Sequence, residues 1–519
     1  MLFSISLSLA QSGLEKKSHF HQNWTAMDAQ ELIPHLGVWP AGPGPLLHKL
    51  ARGLVDAIRK GAVHPGIRLP SERSLAQALS ISRTTVVAAY DALRESGWLE
   101  SRTGSGTWVC ESSPAVAAAR GAAHAAALAA SPLLGLLAHH DDEDIIDFAM
   151  GSPMPLRELP LDLFTLPPDE YAALVHDRLY YPLGLPTARQ AVASYYGRAG
   201  LPTRPEQILI TNGAQHAIAL CAALYLQRGD SVLVEDPAYF GALDVFRAAG
   251  ARVSPLPVGP GGVPIGVLRD RIIATAARLV YLTPTFQNPT GAVMPVAARK
   301  EVARIASELA IPVIDDGALA EVSLDGPPPP LIATYVPAAH APSAPILTIG
   351  SLSKLAWPGL RAGWVRAPEP IVERLARLKS ANDLGSPLLT QAIAVRLLAA
   401  IDQIRLLRRQ QLKPRRDLMA GLLREFLPDW KFRLPAGGLF LWVKLPAGDS
   451  REFAQVALRH GTLILPGPAM SAAGQHASFM RLPFLAEEEM LRTGVRRLSA
   501  AWRDYQPGQG ARRPNVALV

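Results

Sequence analysis

Apolar residues recur at helical spacing through Leu47, Leu50, Leu54 and Ile58, and the run stops at His64-Pro65-Gly66. A second amphipathic stretch opens at Leu69-Pro70-Ser71-Glu72-Arg73, where Ser71 is placed to cap a helix with an inner stripe of Leu75, Ala76 and Leu79. A third follows the tight segment Leu79-Ser80-Ile81-Ser82, with Ser82 as its cap, and continues through Val86, Ala89, Tyr90 and Leu93. Two β-prone pieces around Gly104-Ser105-Gly106 then predict a hairpin. Residues 111–144 change character: alanine dominates and little specifies a fold, which predicts a linker. From 145 to 502 short apolar runs (207–211, 231–235, 278–282, 311–315, 346–349 and 362–365) alternate with longer amphipathic ones such as 214–226 and 296–309. That rhythm predicts a largely parallel sheet covered by helices. Residues 1–45 are expected to be a disordered extension and 503–519 a tail.

Length and composition agree with several domains. A chain of 519 residues exceeds what one hydrophobic core usually serves. Its 49% hydrophobic and 18% charged residues are ordinary for a globular protein. The excess of 52 Lys+Arg over 44 Asp+Glu permits nucleic-acid contact without demonstrating it. Two cysteines, Cys110 and Cys221, are too few for a disulfide framework and match no metal-ligand spacing. No metal is expected, and a reducing cytoplasm is the expected compartment. The apolar start has no basic residues before it, so no signal peptide is expected, and no run approaches the ~20 apolar residues that span a bilayer.

The first patterned region places basic and hydroxyl residues where DNA would meet them. Two helices joined by a tight turn form a helix-turn-helix, whose second helix offers its first residues to the major groove. Those residues are Arg83, Thr84 and Thr85, suited to phosphates and guanine. Arg73 lies on the preceding helix, and Gly104 and Gly106 let the hairpin approach a backbone closely. Residues 46–110 carry nine basic side chains against five acidic. The order Leu-Pro-Ser-Glu-Arg, Ser-Arg-Thr-Thr-Val, Gly-Ser-Gly-Thr resembles the winged helix-turn-helix of GntR-type regulators, which implies a double-stranded DNA operator as partner.

The larger region carries a different chemistry. In Ser351-Leu352-Ser353-Lys354-Leu355-Ala356-Trp357-Pro358-Gly359-Leu360-Arg361, a lysine stands among hydroxyls at −3 and −1 and an arginine at +7. That set suits an amine held beside a phosphate. Upstream, Thr211-Asn212-Gly213-Ala214-Gln215 follows a strand and opens a helix, presenting backbone amides to an anion. Tyr239 can stack on a flat ring, Asn288 in Gln287-Asn288-Pro289-Thr290-Gly291 can hydrogen-bond a ring oxygen, and Asp316 ends a strand with a carboxylate. Each falls at a strand's C-terminal edge, where α/β sheets bind ligands.

Together residues 147–485 resemble the aminotransferase-like, fold-type-I pyridoxal-phosphate proteins. The resemblance implies pyridoxal 5'-phosphate as cofactor and Lys354 as its Schiff-base lysine. It makes Asp316 the partner of the pyridine nitrogen, Asn288 the phenolate contact and Tyr239 the stacking ring. Gly213, Ala214, Gln215, Ser351, Ser353 and Arg361 surround the phosphate, and Arg481 receives a ligand's carboxylate. Where the family carries a second phenolate-binding Tyr, this chain has Ala318 and Leu319. Tyr180 or Tyr181 stands near the place of a Tyr that reaches the neighbouring subunit's phosphate.

A winged helix followed by such a domain is similar to the MocR-type branch of GntR regulators. The fold class expected is therefore multidomain, a winged helix-turn-helix (46–110) plus an α/β aminotransferase-like domain (145–502). The resemblance implies a homodimer that senses the cofactor or an amino compound effector and regulates transcription. A working aminotransferase with an accessory DNA-binding domain is the alternative, and a cofactor-free dimeriser is a third. The missing Tyr at Ala318 and Leu319 leans toward the regulator.

Overall fold

The structure is a computed structural model that describes residues 27–36, 39–40, 45–59, 63, 66–102, 106–110, 144–154, 156–337 and 345–505. The chain divides into two compact units, Met1–Ala130 and Ser131–Val519.

The first unit contains α1 (Ala29–Leu32), α2 (Leu46–Arg59), α3 (Glu72–Leu79), α4 (Arg83–Glu95) and an antiparallel hairpin of β1 (Leu99–Arg102) and β2 (Gly106–Val109). The caps are those the sequence predicts. Ser71 accepts the Ser74 N–H at 3.2 Å, and Ser82 accepts the Thr85 N–H at 3.1 Å. Between the two helices Ser80 turns the chain in the left-handed region, at φ 55°. Leu50, Leu54, Leu75, Val86, Ala89 and Tyr90 close the core, and the Tyr90 hydroxyl donates to the Pro70 carbonyl.

One expectation fails here. Residues 27–36 do not belong to a disordered extension, because Asp28 and Glu31 form a capping box that starts α1. Ala29, Leu32 and Leu36 then join the same core. The expectations for residues 1–26, the 111–143 linker and the 506–519 tail lie outside the described residues.

The second unit begins with the short strand β3 (Ile146–Phe148) and is built on a seven-stranded sheet. Its strands are β4 (Ile208–Thr211), β5 (Ser231–Asp236), β6 (Arg252–Pro257), β7 (Leu279–Leu282), β8 (Val313–Asp316), β9 (Ile346–Ser351) and β10 (Gly363–Arg366). They lie in the order β4-β10-β9-β8-β7-β5-β6, and β10 alone runs against its neighbours. β5, β7, β8 and β9 are buried at every position, as expected of strands covered on both faces. Helices Ala214–Tyr225 and Val296–Leu309 help to cover them, at nearly the bounds the sequence predicts.

A second sheet, which the apolar runs did not announce, has the order β11-β12-β14-β13-β3. It comprises β11 (Lys431–Phe432), β12 (Phe440–Lys444), β13 (Thr462–Pro466), β14 (Phe479–Pro483) and β3, and packs on the helices Ser450–Arg459 and Glu488–Asp504. Helix Ile401–Phe426 contributes to the cores of both sheets.

Candidate functional site

A cavity of about 510 Å³ opens in the second unit, at the C-terminal ends of β7, β8 and β9. Nine of the ten residues expected around the cofactor line it: Ala214, Gln215, Tyr239, Asn288, Asp316, Ser351, Ser353, Lys354 and Arg361. The tenth, Gly213, caps helix Ala214–Tyr225 at φ 85°. A Cβ there would stand 2.7 Å from Arg361 Nη2, so the close approach requires glycine. Arg361 is itself in the left-handed region and donates to the Asn212 carbonyl at 3.0 Å. The N–H groups of the helix's first turn, which have no intrahelical acceptor, and the Arg361 cation thus meet at one end of the cavity.

Lys354 follows β9 on a loop pinned by Ser351, whose Oγ donates to the Ala362 carbonyl and accepts the Ser353 N–H. Its Nζ donates to the Gly151 carbonyl at 2.7 Å. Burial, with the cations of Arg481 and Arg361 in Coulombic reach, pushes the amine down to about 8. A lysine so placed holds a reactive share of free amine near neutral pH.

Asp316 ends β8 with its carboxylate buried. The Tyr281 hydroxyl donates to Oδ2 at 2.6 Å and the Ala318 N–H to Oδ1 at 2.9 Å. Burial raises its proton affinity, and these two bonds oppose the rise. Ala318 and Leu319 also line the cavity and bring no hydroxyl to it.

Arg481, in the middle of β14, is 2% exposed. It donates to Asn288 Oδ1 at 3.2 Å and to the Ala149 carbonyl, and its guanidinium lies 4.1 Å from the centre of the Phe440 ring. Burial pushes it down to about 10. Its Nε is buried with no partner among the described residues. The sheet therefore delivers a buried cation to the cavity wall, an arrangement suited to an anionic ligand group.

Several residues were not singled out from the sequence. Tyr281 is one; a Tyr in a wholly buried strand has to place its hydroxyl somewhere, and that was the available signal. Phe440, Phe240 and Gly151 also line the cavity, and nothing local marks them. Tyr180 and Tyr181 are not among the cavity residues: Tyr180 is 70% exposed, and Tyr181 donates to Asp177 Oδ2 at 2.7 Å. Cys221 is a buried core residue, its thiol pushed up to about 12 by burial. Among the described residues no group of three or more His, Cys, Asp or Glu side chains is placed to hold a metal ion. None of the described helices is long and apolar enough to cross a membrane.

In the first unit Arg73, Arg83 and Thr84 are exposed, and Thr85 is half-buried. The Ser82 hydroxyl is hydrogen-bonded to those of Thr84 and Thr85, at 2.8 and 2.7 Å, so all three cluster at the start of α4. Gly106 is exposed at φ 99° and faces the Arg102 position across the hairpin. Gly104 lies outside the described residues.

The family "Bacterial regulatory proteins, gntR family" matches residues 47–109, and "Aminotransferase class I and II" matches residues 174–498. An uncharacterized HTH-type transcriptional regulator of Bacillus subtilis, YisV, is 32% identical over 87% of this chain and 95% of its own length. The probable rhizopine catabolism regulatory protein MocR of Rhizobium meliloti is 30% identical over 74% of this chain and 78% of its own. Among solved structures, LysN, the alpha-aminoadipate aminotransferase of Thermus thermophilus complexed with N-(5'-phosphopyridoxyl)-L-leucine, superposes with a TM-score of 0.65 at 29% identity. That match covers 73% of this chain and 96% of LysN.

Proposed function

The chain belongs to the MocR-type branch of the GntR regulators, and on that premise we propose that it is a pyridoxal-phosphate-dependent, DNA-binding transcription regulator whose larger unit senses an amino compound. The observation that carries the reading is the single cavity shared by Lys354, Asp316, Arg361 and Arg481. Buried polar atoms fit the group as well: Ser353 Oγ and Gln215 Oε1, both on cavity residues, have no partner among the described residues.

When bound, pyridoxal phosphate supplies an aldehyde that condenses with a primary amine, releasing water, and an electron-withdrawing ring. Lys354 is the amine that would hold it. Gly213, Ala214, Gln215, Ser351, Ser353 and Arg361 are the residues to receive its phosphate. Asp316 would face the ring nitrogen, Asn288 would offer its amide to the ring oxygen, and Tyr239 would stack. Arg481 fixes the carboxylate of the amino compound.

In the first unit, Arg73 and Arg83 with the clustered hydroxyls of Thr84 and Thr85 would contact an operator, and Gly104 and Gly106 would let the wing approach it. A homodimer is supported by large apolar side chains exposed in the larger unit, among them Leu161, Val175, Leu179, Tyr180, Trp357 and Leu384. A regulator that reads chromosomal DNA works in the cytoplasm.

Retention of Lys354, Asn288, Asp316 and Arg481 also favours a second reading, an active aminotransferase with an accessory DNA-binding unit. The apolar Ala318 and Leu319 weigh against it. Steady turnover of common amino acids with a keto acid would establish that reading. The test of the first is the visible absorption spectrum of the protein with pyridoxal phosphate, beside that of Lys354→Ala. We expect a band that the variant loses; a colourless wild type with excess cofactor would sink the sensor.

A further inference from the structure

The stretch that enters the second unit after residues 111–143 is tied directly to the ligand-facing side chains. β3 ends at Phe148, and the next carbonyls go to the cavity: Ala149 O accepts from Arg481 and Gly151 O accepts from Lys354 Nζ. One step further on, Met154 O accepts Arg408 Nη1 at 2.8 Å. Arg408 is 1% exposed, and its Nε and Nη2 donate to the carbonyls of Leu355 and Ala356, the two residues after Lys354. The Asp147 carboxylate accepts the N–H groups of Ala149 and Met150 at 2.7 and 2.9 Å, so the turn between strand and cavity is itself hydrogen-bonded. Gly151 leaves no slack: a Cβ there would stand 2.6 Å from the Phe440 ring that underlies Arg481.

Two of these three ties are made by groups that a ligand would claim. An amine committed to an aldehyde no longer donates to Gly151 O, and a carboxylate paired with the guanidinium competes with Ala149 O for its N–H donors. The third, Arg408, faces backbone carbonyls and the Gln411 side chain and has no such competitor. We propose that Ala149–Met154 is the occupancy relay of this site: Lys354 and Arg481 hold it at Gly151 and Ala149, ligands loosen those two holds in turn, and Arg408 is the fixed pivot. In the sequence this stretch follows residues 111–143 and precedes the strands that build the cavity. The inference rests on the cofactor reading above.

Hydrogen exchange of the full chain, read by mass spectrometry at residues 147–154, tests it, with peptides from β9 as internal reference. The probes are pyridoxal phosphate, which engages Lys354, and N-(5'-phosphopyridoxyl)-L-leucine, which has no aldehyde, leaves Lys354 a free amine and brings a carboxylate to Arg481 alone. Each released hydrogen bond should speed exchange of the Ala149 and Met150 amides by roughly threefold to tenfold. Lys354→Ala should show the first increment without any ligand, which separates loss of the tie from binding. A visible band with unchanged exchange at 147–154 overturns the relay and leaves the cofactor reading standing. Absence of the band overturns both.

Discussion

In the winged helix, the side chains proposed to meet DNA stand on a fold that does not depend on them, whereas in the second unit the site is part of the core. Arg83 is exposed at the start of α4, and the helix is held by Ser82 below it and by Val86, Ala89 and Tyr90 on its inner face. Arg481 is almost fully buried, hydrogen-bonded to Asn288 and Ala149 and laid over Phe440. The first arrangement gives an interface that tolerates change residue by residue and answers to salt. The second gives a site whose charges are desolvated, so that removing one perturbs the others.

That contrast is sharpest at Arg481. Replacing it with Met keeps bulk over Phe440 but removes a buried cation from the cavity wall. Affinity for amino compounds bearing a carboxylate should fall by about 2–5 kcal/mol, measured by titration of the cofactor-loaded protein. A loss no larger than that of a surface arginine would erase the distinction between the two regions.

The same desolvation sets a pH dependence. Lys354 stands at about 8 rather than the ordinary 10.5, so free amine accumulates as pH rises through about 8. The rate of cofactor capture should therefore rise with pH, with its midpoint near 8. Between about 8 and 10.5 the unfolded chain binds a proton that the folded chain does not, so this group makes stability rise with pH in that window. Arg481→Met removes one of the two neighbouring cations, and the midpoint should move upward. Stopped-flow absorbance across the pH range checks both, and a midpoint unmoved by the variant would show that the two charges are not coupled.

Tyr281→Phe probes a subtler part of the core. Without its hydroxyl, Asp316 loses a bond that opposes protonation, so its proton affinity rises further and its hold on a cationic ring nitrogen weakens. Cofactor affinity should drop by roughly 1.5–3 kcal/mol, the worth of a hydrogen bond to a charged group. Fluorescence titration of the apoprotein measures it. An unchanged affinity would mean that the Ala318 N–H alone is enough to orient the carboxylate.

The two regions also differ in how far they can be read from sequence. Ser71 and Ser82 cap their helices within three residues, so the winged helix is legible from short windows. The strand-end residues Asn288, Asp316 and Lys354 are legible because each sits in a motif at the edge of an apolar run. The residues that complete the site are not. Lys354 meets Gly151 across 203 positions and Arg481 meets Ala149 across 332, distances at which no local pattern speaks. The second sheet escaped for a similar reason, since β3 pairs with β13 and β14 lies between β12 and β13. α1 was missed despite a local signal, the Asp28–Glu31 capping box.

Arg83→Ala should have the smallest effect, and its character distinguishes it more than its size. The side chain is exposed and holds no part of the fold, so its loss should cost roughly 1 kcal/mol in operator affinity and lower the salt dependence of binding by about one counterion. Fluorescence anisotropy over a series of salt concentrations gives both numbers. The cofactor's visible spectrum should be unaltered, because the substituted residue lies in the other unit. A salt slope identical to wild type would remove Arg83 from the phosphate contacts and leave the groove-facing role to the hydroxyls of Thr84 and Thr85. An altered spectrum would show that an exposed head residue is coupled to a buried cavity, and the division between a tolerant interface and a sensitive core would no longer hold.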